Sequence, residues 1–315
     1  MTMTVMPAPT EPAHPTVPSG RRTRRVRQHW RVTPYLFLLP ALALLAVFFV
    51  WPAITAVQLA FYDYRVVSPA EFVGLDNFVR MGDDPRFWTA LANSGLFLVG
   101  MLPILVVVPL FLAVLVNLPL RGIKMFRLVY YLPVVTSMVA VAIAWNYVYH
   151  QRGMLNWLLS SIGLLDQPVQ YLLEPGWALP ALVLVESWKS LGYYMMIYLA
   201  GLQSIPRDLY ESASVDGAGP WRRLRSITVP LLRPYIAVVT VLAALDSMQV
   251  FTSVFVMTQG GPQDATLTLG YYLYDEAFRH FNMGYASAMG LVLWAILVVL
   301  SLVSYRLTRG KAAAA

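Results

Sequence analysis

Long apolar stretches recur along this sequence and are separated by shorter polar connections. A helix needs about 20 residues to cross the roughly 30 Å hydrocarbon core of a bilayer. None of the apolar stretches alternates with a period of two, as the strands of a membrane barrel would. The pattern therefore predicts an all-α integral membrane protein with six transmembrane helices. The predicted spans cover residues of about 35–61, 91–117, 128–149, 178–203, 235–258 and 284–306.

The composition agrees with this prediction. Hydrophobic residues make up 58% of the chain and charged residues only 12%, whereas soluble domains have about 45–50% apolar and 25% charged residues. The formal net charge of +7 would also suit a nucleic-acid-binding protein, so the positions of the basic residues decide its meaning. Because the chain contains no cysteine, disulfides and thiolate-bound metals are excluded.

Basic residues concentrate in alternate connections between the predicted spans. They are frequent in the N-terminal tail, in the second and fourth connections and at the C-terminus, and sparse elsewhere. The positive-inside rule places such connections in the cytoplasm, so both termini and the segment 204–234 are predicted to be cytoplasmic. A DNA-binding role for the arginines of this segment is disfavoured, because membrane spans tether it on both sides.

The two ends of the chain are predicted to be short tails. Residues 1–33 are rich in proline and are expected to be disordered, with their arginines held against anionic lipid. Residues 311–315 form the C-terminal tail, which leaves 34–310 as the transmembrane domain. The arginines before the first span also fit a signal peptide, but the apolar run continues too far for a cleavable segment, so a retained anchor is predicted.

The sequence lacks the motifs of common hydrolases. It has no phosphate-binding loop, no H-E-x-x-H and no G-x-S-x-G, and its four histidines are scattered. We therefore expect no catalytic residues, no bound metal and no cofactor. Energy for uphill transport would come from an ion gradient or from another polypeptide.

Three ionisable residues lie inside the predicted spans, namely Glu186, Lys189 and Asp246. Charged groups are costly in lipid, so each is expected to face the bundle interior or a partner. Glu186 and Lys189 share one helical face and fit either a structural ion pair or contacts to a solute. Asp246 has no evident partner in its own helix and is predicted to line a cavity, with Gln249 one turn on.

Aromatic residues flank Lys189 inside the fourth span. Most aromatic residues near the span ends suit the membrane interface. Trp188, Tyr193 and Tyr194 lie deeper and are candidates for stacking on the face of a sugar ring.

The cytoplasmic segment 204–234 predicts a short helix followed by a turn. The residues "RDLYESASVD" form the helix, and Gly217 is expected to end it in a left-handed conformation. Small residues are grouped there beside Glu211 and Asp216. Small side chains let a helix sit in a groove of another protein while flanking charges set its register.

This segment resembles the E-A-A motif of permease subunits of binding-protein-dependent ABC importers. Glu211 occupies the position of the glutamate, Ser212 and Ala213 those of the two alanines, and Gly217 follows at the motif's spacing. Ile227 comes after nine more residues and Pro230 closes the motif. The only departures are Ser212 and Val229, which replace an alanine and a leucine.

The wider chain is similar to the carbohydrate-type permeases of that superfamily, of the maltose and glycerol-3-phosphate kind that forms the first of two homologous membrane subunits. The matching segments are "GLDNF" at 74–78, "LAGLQSIPRDLYE" before the motif, "VFVMTQGGP" at 254–262 and "GYASAMG" at 284–290.

The resemblance implies a six-helix MetI-like bundle in a bacterial or archaeal cell membrane. The motif helix would be a coupling helix seated on one of two cytoplasmic ATPase subunits, with Glu211, Ser212, Ala213, Asp216, Gly217, Ile227 and Pro230 as its coupling residues. The bundle would pair with a second homologous permease subunit. A solute-binding protein would dock on the outer loops, including the turn Gly260, Gly261 and Pro262.

Two functions remain at this point. The first is a permease subunit of an ABC importer for a sugar, oligosaccharide or polyol phosphate, with a solute path past Glu186, Trp188, Lys189, Tyr193, Asp246 and Gln249. The alternative is a self-contained secondary transporter or channel, which would need no ATPase.

Overall fold

The computed structural model describes residues 33–65, 68–118 and 122–312. The predicted N-terminal tail lies outside the described residues except for Thr33, and so do residues 313–315 at the other end. The chain divides into two units, Met1–Pro52 and Ala53–Ala315.

The described residues are mostly helical, and the remainder includes one small sheet and several turns. The helices are α1 Thr33–Leu45, α2 Trp51–Leu59, α3 Asp76–Gly82, α4 Pro85–Val116, α5 Ile123–Val135, α6 Met138–Tyr149, α7 Met154–Ser161, α8 Pro175–Gln203, α9 Arg207–Val215, α10 Pro220–Arg223, α11 Val229–Leu231, α12 Arg233–Met248, α13 Leu269–Tyr274 and α14 Met283–Ala312. π-Helical turns occupy Ala46–Val50, Leu224–Thr228, Val254–Thr258 and Asp275–Arg279. Strands β1 Tyr62–Asp63 and β2 Glu71–Phe72 pair antiparallel.

Three helices in the described residues are long and apolar enough to cross a membrane, namely Tyr35–Leu59, Pro85–Val116 and Met283–Ser304. Two bent helix pairs would raise that number to 5 if each pair is one span. The helix α8, which is 29 residues long, covers the predicted fourth span but is not among these elements. The helix of the predicted sixth span, α14, continues to Ala312, beyond the predicted end near residue 306.

The prediction that the third span is a single helix is wrong. Ile123–Val135 and the following helical stretch Met138–Ser161 are bent by 101°. The break follows Pro133, and Thr136 is extended with ψ of 139°. The segment "MLNWLLSSIGLL" forms the short helix α7 after this bend.

The prediction that the fifth span is a continuous helix is also wrong. α12 ends at Met248, and the chain resumes helical structure only just before the π-helical turn Val254–Thr258. Residues 249–251 are therefore unwound. Thr268 donates a side-chain hydrogen bond of 2.9 Å to the carbonyl of Val250 in this break. The side chain thus satisfies a backbone group that the helix has released.

The core of the second unit is built around α4 and α8. Phe97, Met101 and Leu105 of α4 are buried together with Tyr194 and Tyr198 of α8. The helix α12 packs on α4 and α14.

The first strand and the residue Ala60 shortly before it are tied to α3. The side chain of Asn77 donates to the backbone carbonyls of Ala60 and Tyr62. Asn77 belongs to the "GLDNF" segment, which therefore has a structural role.

Gly192 permits the close approach of α8 and α5. A β-carbon at this position would lie 2.1 Å from the carbonyl oxygen of Tyr130, which is part of the backbone. The helix α8 runs through Gly192 without interruption. Small residues at such crossings let transmembrane backbones approach each other.

We expect Gly192→Ala to destabilise the bundle by about 1–3 kcal/mol, because the added methyl group must push the two backbones apart. Thermal unfolding of the detergent-solubilised protein measures this effect. Gly95→Ala is the matched control, since a β-carbon there meets nothing within 4 Å. Equal stability of the two variants would contradict the assignment.

Candidate functional site

The predicted cytoplasmic motif helix is present as α9, and its end is defined by Gly217. Gly217 has φ of 73°, in the left-handed region, as predicted. The amide of Ala218 then donates a 2.9 Å hydrogen bond to the carbonyl of Ala213 across the cap. Such a cap satisfies carbonyls that the helix end would leave unpaired.

The motif residues divide between exposed and half-buried positions. Glu211, Ser212, Asp216 and Gly217 are exposed, and Ala213 is half-buried. The later motif residues Ile227 and Pro230 are also half-buried. Small and acidic side chains of α9 and its cap are therefore exposed. Ile227 and Pro230, in the second half of the motif, are partly covered by the rest of the protein.

Arg223 clamps α9 to the short helix that follows it. Its Nε donates to the carbonyl of Ala218 at 2.8 Å, and its Nη1 donates to the hydroxyl of Ser214 at 2.9 Å. A second link joins the hydroxyls of Tyr210 and Thr228 at 3.0 Å. The sequence indicated only that the arginines here mark cytoplasmic placement. Arg223 also has a structural role, because it contacts Ala218 and Ser214. No local sequence pattern reveals these contacts.

We expect Arg223→Ala to loosen α9, because it removes two hydrogen bonds made by a charged donor. Amide hydrogen exchange of residues 207–217 should accelerate about five- to tenfold as local opening becomes easier. Arg222→Ala is the control, since Arg222 is exposed and makes no hydrogen bond with any described residue. The same exchange rates in both variants would show that the clamp does not hold the helix.

A cavity of about 280 Å³ lies between α5, α8 and α12. It brings together three of the predicted solute-path residues: Lys189, Tyr193 and Asp246. The sequence missed its other lining residues, which are Val134, Ser190 and Leu242. Val134 and Leu242 come from other helices, so only the packing of α8 against α5 and α12 could place them here.

Asp246 is oriented by a tyrosine of the facing helix. The hydroxyl of Tyr194 donates a short hydrogen bond of 2.5 Å to Oδ2 of Asp246. Lys189 forms no hydrogen bond or direct ion pair within the part of the chain that the structure describes. Of the two alternatives for Glu186 and Lys189, a structural ion pair or contacts to a solute, the described residues show no direct ion pair between the two side chains.

The remaining predicted path residues lie outside this cavity. Glu186 is half-buried on α8 and is not among the residues that line the cavity. The ring of Trp188 packs edge-on against Trp145 at 5.5 Å between centroids. Gln249 is exposed and donates to the carbonyl of Leu245. The predicted path residues therefore do not form one site: three line the cavity, and Glu186, Trp188 and Gln249 do not.

The glycine–proline turn that is predicted to face outwards is tightly packed. Gly260 is buried with φ of 85°, and a β-carbon there would lie 3.2 Å from the side chains of Leu267 and Tyr271. The hydroxyl of Thr266 donates to the carbonyl of Gly261 at 2.7 Å. Gly261 and Pro262 are half-buried, and the exposed members of the turn are Gln259 and Gln263.

An ionic network joins this turn to the start of α4. Arg86 donates two hydrogen bonds of 3.1 Å to the carboxylate of Asp264. Asn93 donates to the backbone carbonyls of Asp264 and Leu267. The turn is therefore fixed to a transmembrane helix by side chains that precede Asp264 by 178 and 171 residues.

Asp84 lies beside this network, two residues before Arg86. Its Oδ2 accepts hydrogen bonds from the hydroxyls of Tyr272 at 2.6 Å and Tyr285 at 2.7 Å, and its Oδ1 accepts from the amide of Arg86 at 2.9 Å. Burial alone would raise the pKa of this carboxyl group. The hydrogen bonds outweigh burial and hold the pKa of Asp84 below its ordinary value near 3.8. Beside it, a cavity of about 610 Å³ opens between α3, Asp83, Asp84 and Tyr272.

A lowered pKa means that Asp84 stabilises the fold at pH values above about 4 and that this stabilisation is lost as the pH falls through the lowered value. We expect Asp84→Asn to lower the melting temperature at neutral pH by about 2–6 °C and to remove part of the acid sensitivity. Asp83→Asn, at an exposed neighbour, is the control. An unchanged pH profile for Asp84→Asn would exclude this role.

The comparisons with known proteins agree with this arrangement. Residues 83–312 match the family model described as the binding-protein-dependent transport system inner membrane component. The chain belongs to this family. The permease therefore has the architecture of ABC importer membrane subunits, and the match gives no support to the alternative of a self-contained secondary transporter or channel.

Similar proteins include several permeases with named solutes. The lactose transport system permease protein LacF of Rhizobium radiobacter is 35% identical over 290 residues, 91% of this chain and 97% of LacF. The sulfoquinovosyl glycerol transport system permease protein SmoG of Agrobacterium fabrum is 35% identical over 285 residues, 89% and 92% of the two chains. The sn-glycerol-3-phosphate transport system permease protein UgpA of Yersinia enterocolitica is 34% identical over 286 residues, 88% and 94% of the two chains.

The permease is also similar to a solved structure of a bacterial ABC transporter involved in the import of the acidic polysaccharide alginate. The TM-score is 0.75 at 30% identity, over 88% of this chain and 94% of that one. The same scores relate the permease to that transporter in complex with an alginate pentasaccharide-bound periplasmic protein, with 93% of that chain covered.

Proposed function

We propose that the permease carries a saccharide or a related polyol or polyol phosphate across the cell membrane, powered by ATP hydrolysis in a separate cytoplasmic subunit. The observation that carries this proposal is α9, a helix with exposed small and acidic residues, a left-handed cap at Gly217 and a clamp at Arg223. The named solutes of the similar permeases support the carbohydrate class. The permease itself would catalyse no reaction.

The rigidity of α9 is what a coupling element requires. An element that transmits a conformational change must move as one body and make different contacts in the two states. The clamp and the cap meet the first condition. Glu211, Ser212, Ala213, Asp216 and Gly217 would form the surface that meets the ATPase, and two ATPase copies would serve the two permease subunits.

A second homologous permease subunit fits the apolar first helix. Residues 35–50 are almost entirely apolar and include Phe37, Phe48 and Phe49. Lipid and a partner helix are the surroundings that accept such a surface. In the assembled transporter both termini and α9 would face the cytoplasm, as the distribution of basic residues predicts.

The outer face suits a solute-binding protein. The packed turn at residues 259–266 and the neighbouring cavity beside Asp84 are held in place by Arg86, Asn93 and Tyr272. A preorganised surface binds a partner at lower entropic cost than a mobile loop. We therefore retain Gly260, Gly261 and Pro262 as shaping this surface, with Gln259 and Gln263 as its exposed contacts.

Solute would pass the cavity between α5, α8 and α12. The unwound residues 249–251 lie close after Asp246 in the chain, and broken helices beside a cavity are typical of transport proteins. The solutes named for the similar permeases differ in charge, since lactose is neutral and sn-glycerol 3-phosphate is an anion. Family membership alone leaves the charge of this permease's solute open.

We expect Gly217→Val to abolish both ATPase association and uptake. A β-branched residue at φ of 73° costs on the order of 1–3 kcal/mol and distorts the cap. Co-purification with the tagged permease measures the association of the ATPase. Uptake of labelled saccharides, with lactose first, by proteoliposomes that contain the whole complex measures transport.

Gly219→Val is the matched control, because Gly219 has φ of −66° and any residue adopts that conformation. Undiminished association and uptake in Gly217→Val would exclude α9 as the coupling helix. Failure of the unsubstituted complex to take up any saccharide would refute the carbohydrate class while leaving the coupling result intact.

A further inference from the structure

An apolar cavity of about 580 Å³ lies between α4, α7 and the N-terminal part of α8. Leu96 and Ile104 mark its extent along α4, and Leu184 is the last residue of α8 that lines it. It shares no lining residue with the cavity between α5, α8 and α12. The apolar cavity is therefore separate from the proposed solute path.

The walls of this cavity offer few hydrogen-bonding groups. Every lining residue is aliphatic, aromatic, glycine or proline. The hydroxyl of Tyr149 already donates to the carbonyl of Ala181 at 3.0 Å, and only Tyr171 and Trp177 bring further polar side-chain atoms. An ordered water needs about two to four polar partners, and a saccharide needs partners for its hydroxyl groups. The cavity therefore suits an apolar occupant.

The cavity opens on the side of the helix bundle. Among residues 53–315, Leu96 of α4 and Leu184 of α8 line it and are nevertheless 53% and 49% exposed. Both residues lie within predicted membrane spans, so the medium at the opening is the hydrocarbon of the bilayer. A hydrocarbon chain that enters gains dispersion contacts with walls that an empty cavity leaves without partners.

The size of the cavity favours a single chain over a helix. Leu96 and Ile104 are eight residues apart on α4, so the cavity extends about 12 Å along that helix. A helix with its side chains is about 10–12 Å across, and the same length of it would occupy roughly 900 Å³. The volume of about 580 Å³ is too small for it. A helix of the second permease subunit therefore does not fit inside, whereas an extended hydrocarbon chain does.

The short helix α7 closes one end of the cavity. Its Leu155 and Leu159 line the cavity, and its Trp157 is exposed. The side chain of Asn156 fixes the helix to the following connection, because it donates to the carbonyl of Val169 and accepts from its amide, both at 2.9 Å. Leucines on one side and an exposed tryptophan suit a helix at the membrane interface.

We infer that this cavity is a lipid site, which takes one acyl chain of a membrane phospholipid and leaves the head group at the level of α7. The chain fills space that no described side chain fills and contacts α4, α7 and α8 together. The lipid site goes beyond the proposed transport function, since its lining is independent of the solute path.

Photolabelling of the assembled complex in detergent tests the lipid site. The probe is phosphatidylcholine with a diazirine on one acyl chain, added at a low ratio of lipid to complex, and mass spectrometry maps the labelled peptides. We expect labelling of residues 155–159 and 177–184 to exceed that of residues 294–303 about fivefold. The reference segment on α14 has exposed apolar residues, including Trp294 and Val299, that do not line the cavity. Excess unlabelled phosphatidylcholine should remove the difference, whereas lactose should not.

Substitutions at the opening assign the label to the cavity. Leu96→Trp places a larger side chain there and should lower the labelling of residues 177–184 about fivefold. Val99→Trp is the matched control, because Val99 is 69% exposed on the same helix and does not line the cavity. Leu184→Trp repeats the test from α8, with labelling of residues 155–159 as the measurement.

Three results would overturn the inference. The first is equal labelling of the cavity segments and of α14. The second is labelling that neither Leu96→Trp nor Leu184→Trp lowers, or that Val99→Trp lowers as much. The third concerns the occupant: p-benzoylphenylalanine in place of Leu96 should attach to phosphatidylcholine, and attachment to the second permease subunit or to α1 contradicts the lipid site. A complex that imports no saccharide but shows the expected labelling would refute the proposed function and not the lipid site.

Discussion

Hydrocarbon offers no hydrogen bonds, and this constraint governs the irregular features of the permease at membrane depth. A backbone or side-chain polar group there must find its partner within the protein or in a water-filled cavity. The break at residues 249–251 follows this rule, because the side chain of Thr268 bonds to the released carbonyl of Val250. The hydrogen bond between Tyr194 and Asp246 follows it as well. Polar chemistry at this depth is therefore confined to a few sites where helices supply partners to one another.

Close helix packing makes those sites possible. Gly192 lets the backbones of α8 and α5 approach so closely that no β-carbon would fit between them. The same crossing places Val134 of α5 beside Lys189 and Tyr193 of α8. The cavity and the packing contact are thus two results of one helix arrangement. A change in the crossing would alter both.

Rigid connections link this bundle to two separate segments. Arg86 and Asn93 of α4 hold the turn around Asp264. Arg223 and the cap at Gly217 stiffen α9, which follows α8 after a short turn. Binding-protein contact and ATPase contact would therefore act on elements that are anchored to the same helices. That arrangement suits a transporter in which two surfaces must change together.

Local patterns were enough to predict the helical membrane class, the short motif helix with its cap at Gly217, and the motif spacing that indicates the family. These features depend on composition and on fixed spacing along the chain, so they can be recognised before folding is known. Other features emerged only from the folded chain: the breaks in the third and fifth spans, the lack of a direct ion pair between Glu186 and Lys189, the packing of Trp188 outside the cavity, and the clamp that Arg223 forms on α9. Most of these depend on groups that are distant in sequence or belong to another helix. A one-dimensional pattern shows which residues are polar, but the packing of helices determines which polar groups meet.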